Sequence, residues 1–100
     1  MAYKIVHSPL AEKSFLQNIA YLESEWSIKE INSFIKRTSE VLEILKKDPF
    51  VFPKWEFNSE VRKVVLLKQI SLFYTINDRR VEIHLFWNNS RNPEKLGQFF

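Results

Sequence analysis

Between Val61 and Asn89 apolar and polar positions alternate with a period of two. Ile70, Leu72, Tyr74 and Ile76 recur at every second residue, and so do Val81, Ile83, Leu85 and Trp87. That period places one set of side chains on one face of a strand, against a core. The pattern predicts three strands, Val61–Lys68, Ile70–Ile76 and Val81–Trp87, rich in β-branched and aromatic residues. Lys68-Gln69 and Asn77-Asp78-Arg79-Arg80 break the runs. Asn and Asp suit a tight turn because their short side chains bond the local backbone and tolerate positive φ. The segment reads as an antiparallel meander.

Upstream the period lengthens to that of a helix. Tyr3–His7 reads as a lone first strand, and Ser8-Pro9 as a helix start, with Ser as N-cap and Pro at the first helical position. Phe15, Ile19, Leu22 and Trp26 then fall on one helical face. Ser27-Ile28-Lys29-Glu30 has the spacing of a capping box and opens a second helix. Its buried stripe is Ile28, Ile31, Phe34 with Ile35, Val41 with Leu42, and Leu45, and Asp48-Pro49 ends it. Lys36–Glu40 and Glu43–Lys47 are spaced as i,i+4 ion pairs. A loop, Asp48–Glu60, carries Phe50, Phe52, Trp55 and Phe57, whose expected role is to seal the edge of the core. Gly97-Gln98-Phe99-Phe100 reads as a mobile end. The order is β-α-α-β-β-β: an α+β domain over residues 1–100, with a helical hairpin on one face of an antiparallel four-stranded sheet. The other sheet face is expected to be less apolar and to carry some of Arg62, Lys68, His84 and the turn arginines.

Composition narrows the chemistry. Apolar residues make up 45% of the 100 residues, enough for a core in one small domain. The absence of cysteine excludes a disulfide framework, a thiolate nucleophile and a Cys-ligated zinc site. No apolar run approaches a membrane span, and Met1-Ala2-Tyr3-Lys4 does not read as a signal peptide, so the expected location is the cytoplasm. Residues 1–53 carry seven Lys/Arg and seven Asp/Glu, whereas residues 54–100 carry eight and five. The whole net charge of +3 therefore sits with the meander. Such an excess points to an anionic partner, nucleic acid or acidic peptide, unless it is ordinary solubility charge.

The ordered combination of Tyr3-Lys4-Ile5-Val6, Ser8-Pro9-Leu10-Ala11-Glu12, Leu45-Lys46-Lys47-Asp48-Pro49, Val61-Arg62-Lys63-Val64, Leu72-Phe73-Tyr74-Thr75-Ile76 and Ile83-His84-Leu85-Phe86-Trp87, followed by Arg91-Asn92-Pro93-Glu94-Lys95-Leu96, resembles the RelE/ParE superfamily of toxins from bacterial type II toxin–antitoxin modules. The resemblance spans nearly the full length. It implies a toxin neutralised by a cognate antitoxin whose C-terminal segment wraps it; an acidic amphipathic segment would suit the basic sheet side and an apolar groove by the helices. It also implies one of two activities, ParE-like inhibition of DNA gyrase or RelE-like cleavage of mRNA on the ribosome.

Cleavage needs a base for the 2′-OH, an acid for the leaving oxygen and cations for the phosphoryl charge. RelE-like toxins take these from basic residues on the middle strands and a Tyr or His near the C-terminus. Here no Tyr follows Tyr74 and no His follows His84, and Asn88 and Asn89 stand where many relatives place His. A nuclease built from this chain would use His84 as base with Arg62 and Lys68. The alternatives for these residues are a surface or packed histidine with no chemistry and a cross-strand pair of Arg62 with Glu60 or Glu82. Arg62, Lys63, Lys68, Arg79, Arg80 and Arg91 are the candidate contacts to nucleic acid or target. The missing C-terminal Tyr or His favours the gyrase-binding reading. No cofactor is expected and, with neither histidine at metal-ligand spacing, no metal.

Overall fold

The computed structural model describes residues Ala2–Phe100. Strand β1 (Lys4–His7) leads into helices α1 (Pro9–Glu25) and α2 (Ile28–Lys47), followed by β2 (Lys54–Trp55), β3 (Asn58–Leu67), β4 (Ile70–Asn77), β5 (Arg80–Asn88) and a C-terminal 3-10 helix (Pro93–Phe99). The sheet order is β1-β5-β4-β3-β2. The meander and the helical hairpin stand as expected. The sheet differs in two ways: it has five strands rather than four, and it is mixed rather than antiparallel, because β1 runs parallel to β5. The extra strand arises where the loop after Pro53 doubles back on β3, pairing Lys54 with Arg62 and Trp55 with Asn58. Among the described residues no helix is long and apolar enough to cross a membrane.

The sheet is apolar on both faces. On the helix side Leu22, Phe34, Val41 and Leu45 pack against Val64, Leu72, Tyr74, Ile83 and Phe86. On the outer side Trp55, Val61, Phe73, Leu85 and Trp87 form a second cluster, closed by Leu96 and Phe100. The expectation of a polar, cationic outer face is therefore corrected, and so is that of a mobile C-terminus. The 3-10 helix folds back because Leu96 and Phe100 have apolar surface to cover, and Asn92 caps its start by accepting from the Glu94 N–H at 2.9 Å.

Local details also depart from the pattern. Ser8 caps α1 as expected, accepting from the Ala11 N–H at 2.9 Å. Ser27 makes no cap bond to the α2 backbone; its hydroxyl donates to the Glu30 carboxylate instead. Glu43 pairs with Lys46 at 3.0 Å rather than with Lys47. Trp26 and Ile28, assigned to buried stripes, are exposed at the helix–helix junction, as are Phe50 and Phe57 in the loop.

Helix α1 does more than cover the sheet. β1 pairs with β5 only along Arg80–Ile83. Beyond that, polar side chains of α1 stand in for the missing strand. The Ser8 N–H and hydroxyl donate to the carbonyls of Ile83 (3.0 Å) and His84 (3.1 Å). Ser14 Oγ accepts from the Phe86 N–H at 3.0 Å, and Asn18 Nδ2 donates to the Phe86 carbonyl at 2.9 Å. Ser14 and Asn18 are both buried. Buried backbone groups must find partners, and here the N-cap residue Ser8 and two side chains of α1 supply them.

Candidate functional site

The pairing of β4 with β5 slips at the centre. Tyr74 opposes Ile83, but Phe73 opposes Leu85, so His84 is the extra residue of a β-bulge. A bulge breaks the period of two. Val81 and Ile83 face the helices, whereas Leu85 and Trp87, expected beside them, face outward and Phe86 takes the inner position. Ser8 fixes the bulge from the chain's other end by bonding both carbonyls around it.

His84 lies on the outer face. Its Nε2 shares a 2.7 Å hydrogen bond with Thr75 Oγ1, and its ring meets the Phe100 ring edge-on at 5.9 Å. Burial lowers its pKa below the usual 6.5, opposed by the Glu82 carboxylate. As pH falls below 6.5, the unfolded chain takes up a proton that the folded imidazole resists, so stability is lost on acidification. His84→Gln is expected to flatten the fall in urea midpoint between about pH 7 and pH 5. A variant midpoint that falls as steeply as that of the parent chain would show that His84 is not the titrating group.

Arg62 sits elsewhere. It alternates with Val61 and so faces the helix side, opposite Tyr74 in register. Its guanidinium donates to the carbonyls of Phe52 (2.7 Å) and Phe50 (3.2 Å) and lies 5.2 Å from the Phe50 ring centre. The Tyr74 hydroxyl donates to the Pro49 carbonyl at 2.7 Å, and burial pushes its pKa up to about 12, with Arg62 opposing. Together Arg62 and Tyr74 fasten the Pro49–Phe52 loop to the sheet; Arg62 pairs with neither Glu60 nor Glu82. Lys68 stands at the β3–β4 turn, its ammonium 5.5 Å from the Trp26 ring. His84, Arg62 and Lys68 thus occupy three different surroundings. Lys63 shares the outer face with His84, its ammonium 6.0 Å from the Phe73 ring centre.

The other candidates ring the molecule. Arg79 lies in the β4–β5 turn, where Asp78 adopts φ 56°, and Arg80 opens β5 and reaches Glu82 at 3.9 Å. Arg91 lines a cavity of about 240 Å³ with Asn18, Trp87 and Phe99. Asn88 and Asn89 are structural. The Asn88 side chain accepts from the Ser90 N–H and hydroxyl, and Asn89 ties the end of β5 to the Lys68 carbonyl and to Ser71. A larger apolar groove of about 550 Å³ runs between α1 and α2, walled by Phe15, Leu16, Ile35 and Leu42. The sequence reading missed the bulge, the inward turn of Arg62 and the docking of Phe100. One signal was available: Ser14 and Asn18, spaced i,i+4, interrupt the apolar stripe of α1.

No protein-family model matches the sequence, and no curated protein sequence does. Solved structures do share the architecture. A structure of the chromosomal ParDE toxin–antitoxin system from P. aeruginosa superposes with a TM-score of 0.71 at 9% identity, over 87% of this chain and 96% of that one. The YoeB/ParE toxin from Agrobacterium tumefaciens matches at 0.60 and 9% identity, over 86% and 98%. The YoeB dimer from Staphylococcus aureus matches at 0.57 and 16% identity, over 83% and 92%. Helical hairpin, meander and parallel first strand together therefore make this chain a RelE/ParE-type fold.

Proposed function

We propose that the chain is the toxin of a type II toxin–antitoxin module, acting in the cytoplasm as a ParE-like growth inhibitor that binds DNA gyrase without hydrolytic chemistry. The fold supports the toxin reading. Likeness to a YoeB–YefM complex from Staphylococcus aureus, at 14% identity and TM-score 0.56, supports a partner antitoxin. An amphipathic antitoxin helix fits the groove between α1 and α2, where it would cover the exposed Leu16 and Ile35.

The observation that carries the non-hydrolytic reading is the state of the outer face. Strand cleavage needs base, acid and cations within hydrogen-bond reach of one phosphate. Here that face is filled by an apolar cluster, its imidazole lies against Phe100, and Arg62 and Lys68 lie apart from it. The second reading, a RelE-like ribosome-dependent mRNA endoribonuclease with an atypical site, draws on the lowered pKa of His84, which keeps the ring in the neutral form a base requires.

Expression without antitoxin separates the two. Blocked supercoiling by gyrase with intact message, and inhibition retained in His84→Ala, is the expected result. Cuts in ribosome-bound mRNA by primer extension, abolished by His84→Ala and by Arg62→Ala, would establish the nuclease instead.

A further inference from the structure

We propose that the cavity between α1, the end of β5 and the C-terminal 3-10 helix binds a small aromatic carboxylate with a ring N–H, of the size of an indole acid. The inference rests on the cavity and not on the toxin reading. Leu10, Ser14, Asn18 and Tyr21 line it from α1. They occupy a different flank of that helix from Phe15 and Leu16, which wall the α1–α2 groove.

The inner wall holds an acceptor that lacks a donor. Asn18 is only 4% exposed. Its Nδ2 donates to the Ser14 carbonyl at 2.8 Å and to the Phe86 carbonyl at 2.9 Å. Those two acceptors fix the amide, because the flipped form would set its oxygen against both carbonyls. Oδ1 is thereby left with no partner among the described residues. Ser14 cannot serve it, since its hydroxyl proton goes to the Ala11 carbonyl at 3.1 Å. A buried acceptor without a donor destabilises the free protein, and a ligand N–H that reaches it removes the deficit.

Around this acceptor the walls are aromatic. Tyr21, Phe86, Trp87 and Phe99 line the cavity, and the Trp87 and Phe99 rings meet at 6.2 Å and 61°. Ring faces and edges so arranged hold a flat aromatic ligand. The volume of about 240 Å³ lies below the roughly 300–1,000 Å³ of sites for drug-sized ligands, so it suits one fused ring system with a short substituent. Arg91 is the one charged residue of the lining. It is exposed and enters no ion pair among the described residues. Its guanidinium selects a carboxylate, which matches its fork of donors. The same charge turns away an ammonium. The donor that faces Asn18 is therefore the neutral N–H of a ring, which costs far less to bury than a charged group.

The probe is indoleacetate, titrated into the whole chain by calorimetry and followed in heteronuclear NMR spectra. The expected result is saturable binding at one site that shifts the signals of the Asn18 side-chain amide and the Trp87 indole. The N-methyl analogue has no donor for Oδ1 and should bind about tenfold or more weakly. Indoleacetamide keeps the ring and its N–H but gives up the charge pair. It should bind about threefold or more weakly than the acid, a gap that narrows as salt rises. Arg91→Gln alters an exposed side chain and should bring acid and amide to equal affinity. The analogues decide the role of Asn18 on the unmodified chain, so no substitution of that buried residue is needed. Equal binding of the N-methyl analogue, an unchanged preference for the acid in Arg91→Gln, shifts confined to the α1–α2 groove, or no binding of indoleacetate overturns the proposal.

Discussion

Phe34→Ala is expected to destabilise the fold by about 3–5 kcal/mol, the range for deleting a large buried aromatic side chain. Phe34 is fully buried on α2. Its ring stacks on Phe15 of α1 at 5.0 Å and meets Phe86 of β5 edge-on at 5.9 Å. Phe15 also meets Phe86, at 5.2 Å, so the three rings join both helices to the sheet. Removing the middle ring leaves a cavity bounded by three separate elements, which cannot all close on it together. A small domain has only about 5–15 kcal/mol of stability. At roughly 4–8 °C per kcal/mol, the melting temperature should fall far enough to leave part of the population unfolded near body temperature. Urea and thermal unfolding measure this; a loss under about 1 kcal/mol would mean that the helices can settle into the gap.

Deletion of Pro93–Phe100 is the second large effect. Leu96 is buried, and Phe100 lies 5.6 Å from Trp55, 5.8 Å from Phe73 and 5.9 Å from His84. Full burial of one such side chain contributes about 1.5–3 kcal/mol; with Leu96 buried and Phe100 partly so, loss of the pair should cost about 2–4 kcal/mol. The deletion also uncovers Trp55, Phe73, Leu85 and Trp87 together, an apolar patch that favours self-association. Dye binding and light scattering should rise. The His84 pKa should move back toward 6.5, because Phe100 contributes to its burial, and NMR titration of the imidazole reads that shift directly. Leu96→Ala with Phe100→Ala keeps the chain length and should reproduce both effects. An unchanged pKa in either variant would show that the desolvation comes from the sheet alone.

The element order could be read from the chain because each element has its own period and its own stop signals. Ser8-Pro9 starts α1 and Asp48-Pro49 follows α2, as their local chemistry requires. The site was less legible, and His84 shows why. Val81, Ile83, Leu85 and Trp87 alternate without a break, so nothing local marks a slip in register. The bulge depends on Ser8, 76 positions away from His84, bonding a carbonyl that a regular ladder would have directed elsewhere. Arg62 belongs to the same class. Its placement follows from two loop carbonyls that need donors, and no spacing rule carries that information. The C-terminal Phe99-Phe100 carries no anchoring signal of its own, because the partners of Phe100 lie on the sheet face that the alternation marks as the less apolar one.

The bonds from Ser8, Ser14 and Asn18 to β5 bear on when the chain can reach its native state during synthesis. Ser8, Ser14 and Asn18 supply donors and acceptors whose counterparts are translated 68 to 76 residues later, so β1 and α1 have no place to settle until Arg80–Asn88 has emerged. Long-range closure of this kind is slow and cooperative. A ribosome that stalls before that point releases a product lacking the β5 edge on which its own beginning depends, and such a fragment should be cleared by proteolysis rather than persist as a partly active species.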